Sequence, residues 1–266
     1  MKTAAFLIAS LLSVSPTRAQ ETRDDDQRPR RDTAAIVRDG TFNPQTLSAR
    51  IGDQRVAAMI QGGYDTTSGA QGGTVNAFVE GALLRRVALR VGINSLVSNG
   101  PLASRNVYSV GLRVGLARQE TSGVDVGVSA TYKSTGFSET TGEMEFGLLL
   151  SRRWNRLGVY GNFNYGQGFI GTERDGEVRL GLLYALGNRV NVGFDGLGRF
   201  DLGSGDPNRV KRPGEADFEV LVGPVATVAL GPAVLLAQAG SHTVFIDQTG
   251  TLSSGFAAIA GVGTAF

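Results

Sequence analysis

The sequence predicts an all-β fold: a transmembrane, antiparallel, up-and-down β-barrel of about twelve strands. Three observations predict it. From Arg55 onward apolar and polar residues alternate with a period of two. The alternating segments are about ten residues long, which is what a tilted strand needs to cross a bilayer, whereas soluble strands average five or six. The connections between them are alternately short and long.

The alternation is clearest in the middle of the chain. Tyr108, Val110, Leu112, Val114 and Leu116 share one face, with Ser109, Gly111, Arg113, Gly115 and Ala117 on the other. Val124, Val126, Val128, Ala130 and Tyr132 oppose Asp125, Gly127, Ser129, Thr131 and Lys133. Met144, Phe146, Leu148 and Leu150 oppose Glu143, Glu145, Gly147, Ser151 and Arg153. Val178, Leu180, Leu182, Tyr184 and Leu186 oppose Glu177, Arg179 and Gly181. The segments fall at 55–64, 74–83, 87–96, 107–118, 124–134, 143–153, 158–169, 177–186, 189–201, 217–229, 233–246 and 252–266. The first and the last two are rich in Ala and Gly and alternate less cleanly.

The connections after even-numbered segments are short: 84–86, 119–123, 154–157, 187–188 and 230–232. Those after odd-numbered segments are longer and polar: 65–73, 97–106, 135–142, 170–176 and 200–216. An even strand count puts both ends of the barrel sequence at the short-turn end.

The first 19 residues have the form of a cleaved export signal. Lys2 supplies a positive start, Ala4 to Leu12 an apolar stretch, and Ala19 a small residue suited to cleavage before Gln20. Without Lys2 and Arg18, basic residues equal the 24 acidic ones, so the mature chain is about neutral. That balance argues against nucleic acid as a partner. Residues 20–54 open with ETRDDDQRPRRD, a mixed-charge stretch without apolar period. They are expected to be a flexible segment at the short-turn end, with a short helix within 33–53 starting near Asn43-Pro44. The barrel is expected over 55–266.

Composition narrows the classes further. The chain has no Cys, which excludes disulfides and thiolate metal sites. Beyond the first segment no run approaches the roughly 18 apolar residues of a membrane helix. Backbone groups in lipid must be paired within the protein, and a sheet achieves this by closing on itself. Ionised residues then face an enclosed interior and apolar ones face acyl chains. Tyr64, Tyr108, Tyr132, Trp154, Phe169, Tyr184 and Phe200 fall near segment ends and suit interfacial girdles.

The export signal, the ten-residue alternating segments, the short and long connections and the terminal Phe266 together resemble a Gram-negative outer-membrane β-barrel. The resemblance covers about 55–266 and implies periplasmic termini, outer-membrane lipid as surroundings, and the outer membrane as location. It also implies that the last strand, ending in Phe266, is an assembly signal for the barrel-assembly machinery. Thr264, Val262 and Ala260 at the alternate positions before it are less apolar than the family's pattern.

The inward faces would carry Arg55, Glu80, Arg90, Arg113, Asp125, Lys133, Glu143, Glu145, Arg153, Glu177, Arg179, Asp195, Arg199, Asp217 and Glu219. Two states fit this list: water fills a charged pore, or ion pairs across the lumen close it. Inward Gly111, Gly115, Gly127, Gly147, Gly181 and Gly193 leave room, which points to a narrow porin-like channel for small polar solutes. A closed structural or surface-interaction barrel is the alternative. Residues 20–54 could occlude the lumen from the short-turn side.

An enzyme is a third reading. The resemblance includes outer-membrane hydrolases that pair a His with a Ser, and this chain has one His, His242, after Ser241 and ahead of Asp247. The local string GSHTVFID does not match those enzymes, and His242 is expected to be solvated near a loop. No catalytic residue, cofactor or metal is assigned. An autotransporter translocator, another twelve-strand form, would need a longer stretch ahead of the first strand.

Overall fold

The computed structural model describes residues 42–51, 56–67, 72–98, 105–135, 142–169, 173–204, 216–246 and 250–265. The predicted signal segment, most of 20–54, Arg55, Asp247 and Phe266 lie outside the described residues. The strands are β1 (Val56–Asp65), β2 (Gly72–Leu84), β3 (Val87–Ser98), β4 (Arg105–Ala117), β5 (Asp125–Lys133) and β6 (Glu143–Trp154). The second half continues with β7 (Leu157–Gly168), β8 (Glu173–Ala185), β9 (Val190–Ser204), β10 (Phe218–Leu230), β11 (Ala233–Ile246) and β12 (Thr251–Ala265). One helical turn, α1 (Gln119–Ser122), joins β4 to β5.

Each strand pairs antiparallel with its neighbour in sequence, and β1 pairs with β12 from Ala57↔Ala265 to Asp65↔Ala257, which closes the barrel. Closure leaves no unpaired sheet edge, as lipid requires. All twelve expected segments are strands, displaced by a few residues at their ends. The largest displacements are at β8, which begins at Glu173, and β9, which runs to Ser204. Both extensions lengthen the hairpins at the long-loop end.

Outward positions carry the apolar side chains. Val79, Leu180 and Phe194 are 53%, 58% and 59% exposed, a degree that a soluble sheet would cover. Tight turns join strands at the other end. Asn155, at φ 50, takes the left-handed conformation between β6 and β7, and Gly231, at φ 59, does so between β10 and β11. These turns match the right-handed twist of the strands they connect.

The β10–β11 ladder is interrupted for two residues. Val222 pairs with Ser241 and Val225 with Gln238, while Gly223 and Pro224 have no partner on β11. Pro224 has no N–H to give, so it sits where the ladder can spare one. The register on either side is unchanged.

Residues 42–51, part of the segment that could occlude the lumen, are not the helix expected there. The described part of the predicted 33–53 helix contains no helix. It is an irregular stretch that lies inside the barrel, with Phe42, Asn43, Gln45, Thr46, Ser48, Ala49 and Ile51 buried. Pro44 cannot continue a helix, and the main chain of 45–48 bonds to wall side chains in place of helical hydrogen bonds.

Candidate functional site

The enclosed lumen is the candidate site. Strand parity places Glu80, Arg90, Arg113, Asp125, Lys133, Glu143, Glu145, Arg153, Glu177, Arg179, Asp195, Arg199 and Glu219 on the inner wall, and Asp217 lies just ahead of β10. Arg55 is outside the described residues. The ion pairs among these groups run around the wall. Glu80 Oε2 accepts from Arg90 Nε at 2.8 Å and Arg113 Nη1 at 2.5 Å. Glu177 Oε1 accepts from Arg179 Nε at 2.5 Å and Asn164 Nδ2 at 2.8 Å. Its Oε2 accepts from Arg199 Nη2 at 2.7 Å. Lys133 pairs with Glu145 and, at 3.4 Å, with Glu143. Each of these pairs lies within one strand or joins strands that are neighbours or one apart, so none reaches across the lumen.

The chain of contacts extends to a group the sequence analysis misplaced. His242 is 4% exposed and faces inward, not into solvent near a loop. Its Nδ1 meets Asp65, its Nε2 lies 3.2 Å from Glu219 Oε1, and Glu219 Oε2 lies 3.5 Å from Arg199 Nη1. Counting by twos from Val234 would have put His242 on the inner face. The Ala- and Gly-rich composition of β11 hid that parity. Ser241 sits on the opposite, outer face of the same strand, so the two cannot act as a nucleophile and its base. Thr67 Oγ1 donates to the carbonyl of His242, not to its ring.

Residues 42–51 cross the lumen near the short-turn end. Phe42 packs into an apolar cluster with Ala57, Phe78, Val234, Leu236 and Ala265. At the far side Ile51 and Ala49 pack with Ala88 and Leu149. Three wall glycines make room for the segment. A Cβ at Gly263 would lie 2.7 Å from the Phe42 ring, one at Gly181 2.8 Å from Thr46 Oγ1, and one at Gly127 2.7 Å from Ile51 Cδ1. Beyond the segment lies a cavity of about 60 Å³ lined by Leu47, Arg90, Arg113, Arg179, Glu145 and Asn164, among others. It has room for a few waters beside polar partners.

Arg50 ends the crossing. Its guanidinium donates to Glu120 Oε1 at 2.6 Å and lies 3.9 Å from Asp125 Oδ2. Glu120 is on α1, outside the strands, and the hydrogen bond from Arg50 holds its carboxyl below the ordinary value of 4.5. A depressed carboxyl contributes its pairing at neutral pH and loses it as pH falls through the lowered value. Glu120 is exposed, so that contribution is a few tenths of a kcal/mol, roughly.

The aromatic residues lie on the outer face at two levels. Tyr64, Tyr108, Tyr132, Phe169 and Phe200 are near the long-loop end, with Tyr132 and Phe169 ring centroids 5.9 Å apart. Trp154 and Tyr184 are near the short-turn end, and Arg152 stacks over Trp154 at 4.6 Å. The inner wall also carries apolar residues that the alternation did not mark. Leu149, Tyr160, Leu183, Leu197, Leu221 and Val225 pack in small clusters on the inner wall.

No family model matches the sequence, and no curated protein matches it. Solved structures do match in fold. The NanC porin superposes with a TM-score of 0.58 at 10% identity, covering 79% of this chain and 100% of the porin. LpxR from Salmonella typhimurium gives 0.49 at 9% identity, over 79% and 100% of the two chains. The translocator domain of autotransporter NalP from Neisseria meningitidis gives 0.42 at 16% identity, over 88% and 94%. These identities speak to fold alone, and the scores below 0.5 carry no functional argument. The closed twelve-strand sheet, its apolar exterior and the match to the porin together give this chain the fold of the outer-membrane β-barrels.

Proposed function

We propose that the protein is a narrow outer-membrane channel for small polar solutes, held shut in this state by residues 42–51. The observation that carries the reading is the direction of the contacts. The ion pairs described above run along the wall between nearby strands, whereas residues 42–51 cross the space they enclose. Removing that segment would leave a charged, water-compatible passage. A barrel with a purely structural role has no need of an ionised interior, since apolar packing fills one at lower cost. In this reading the short-turn end faces the periplasm, the predicted signal is cleaved, lipid covers the outer face, and the C-terminal segment with Phe266 engages the assembly machinery.

Single-channel recording in planar bilayers tests it. The unaltered protein is expected to open rarely. In Gly127→Leu the new side chain takes the space of Ile51, whose Cδ1 would be 2.7 Å from the added Cβ. Overpacking of that kind costs about 1–3 kcal/mol, so open time is expected to rise about tenfold or more. Folded protein that passes no current in either form would leave the closed structural barrel as the reading.

A further inference from the structure

The way the wall holds residues 42–51 has a pattern of its own. Asp195 Oδ2 accepts the backbone N–H of Gln45 at 2.9 Å and of Thr46 at 3.3 Å. Asn162 accepts the N–H of Leu47 at 2.6 Å and donates to the carbonyl of the same residue at 2.9 Å. That pair of bonds is what a neighbouring strand would make. Arg179 donates to the carbonyl of Gln45 at 2.7 Å, Arg113 to that of Ser48 at 2.5 Å and Arg118 to that of Ile51 at 2.7 Å. Carboxylate and amide oxygens meet N–H groups, and guanidinium and amide N–H groups meet carbonyls, in order along the segment. The donors and acceptors come from β4, β7, β8, β9 and the residue before α1.

We infer that this wall is a binding site for non-helical peptide main chain, and that short peptides are the solute class it accepts, with residues 42–51 as its tethered first occupant. Main-chain amides are common to every peptide, so recognition through them is tolerant of sequence. The segment's own side chains also meet polar groups (Gln45 with Gln238 at 3.2 Å, Thr46 with Asp195, and Arg50 with Asp125 and Glu120), but the run of main-chain bonds from Gln45 to Ile51 outnumbers them. Gly127 and Gly181 leave space where a passing side chain would need it. A sugar or a simple ion offers no such ordered series of N–H and C=O groups. The inference rests on the channel reading for access to the wall, and names its substrate class.

A tethered occupant competes at an effective concentration in the millimolar range, roughly, so a free peptide needs the tether's anchors weakened. Phe42→Ala/Arg50→Ala in the full chain removes the apolar and ionic ends of the segment and leaves the wall intact. Three fluorescein-labelled decapeptides serve as probes: the 42–51 sequence, a scrambled version, and the 42–51 sequence N-methylated at the Thr46 and Leu47 positions. Binding is read by fluorescence anisotropy in detergent micelles.

The native and scrambled peptides are expected to bind within about tenfold of each other. N-methylation, or Asn162→Ala/Asp195→Ala added to the protein, is expected to weaken binding by tenfold or more. Binding of the native sequence alone, or no binding by folded protein, overturns the inference. The assay needs no current, so a barrel that conducts but binds no peptide defeats this inference and spares the channel. One that binds but never conducts spares the main-chain binding site and defeats the channel, and with it the passage of peptides. If the double variant does not fold, the same titration on Phe42→Ala decides.

Discussion

Gly240→Val is expected to stop the barrel from closing. Gly240 and Gly223 face each other where the β10–β11 ladder is interrupted beside Pro224. A Cβ on Gly240 would lie 2.1 Å from the carbonyl oxygen of Val222 and 2.7 Å from the Cα of Gly223. Both atoms are backbone, so no side chain can swing aside. The strands would have to part by more than an ångström, which breaks the bonds on either side of a gap already two residues long. In lipid each backbone group left unpaired costs several kcal/mol, roughly, because no water replaces the lost partner. The expected result is loss of most of the fraction that resists SDS on an unheated gel after refolding into lipid. Gly198→Val is the control. Its Cβ would have the Val178 carbonyl at 3.9 Å as its nearest neighbour, an ordinary contact, and it would point into lipid. That variant is expected to refold like the parent. A Gly240→Val protein that also refolds fully would mean that the close approach of the two strands is not required.

The strands were legible because lipid imposes the period-two pattern that sequence reasoning looks for. Where lipid ends, so does the pattern. Glu173 to Gly176 at the start of β8 reads as a polar loop, yet it continues the hairpin beyond the membrane and carries Asp175 to the inner wall. Leu149 was lost inside the run Leu148-Leu149-Leu150, since an inward apolar residue looks like noise in an outward apolar series. It faces inward because Ile51 and Ala49 are there to cover it. That part of 20–54 could occupy the lumen was one reading of the sequence, but which residues enter and what holds them were illegible for a different reason. Their partners, Asn162, Asp195 and Gln238, lie more than a hundred positions away, and an irregular stretch has no period to betray it. One signal was available: inward Gly127 and Gly181, joined in the structure by Gly263, hollow the wall at one level. The first two read as spare room for water; the three are the room that Ile51, Thr46 and Phe42 fill.

How wet the remaining lumen is decides the second large effect. Glu177→Ala removes the carboxylate shared by Arg179 and Arg199 and leaves Asn164 Nδ2 without its acceptor. Glu177 is 2% exposed and its two partners about a fifth exposed. Breaking a buried pair by deleting one partner costs on the order of 3 kcal/mol, because the charge left behind has lost both its solvent and its counter-ion. Arg199 keeps Glu219 at 3.5 Å, and Arg179 keeps the Gln45 carbonyl, so the loss is partial for each. Urea unfolding from lipid vesicles, followed through Trp154, the sole tryptophan, is expected to show a drop of that size. Glu177→Gln keeps acceptors for the arginines without the charge and is expected to fall between. Glu219→Ala removes a side chain that is 20% exposed and leaves Arg199 with Glu177 and His242 with Asp65, so it is expected to cost less, about 1 kcal/mol. If Glu177→Ala is as mild as Glu219→Ala, the wall around β8 is fully hydrated and the lumen is wider than its packed inner face implies. A large gap between the two places the dry part of the lumen at the Arg179–Glu177–Arg199 cluster, next to the carbonyl of Gln45. Residues 42–51 and that cluster would then open together, since Arg179 belongs to both.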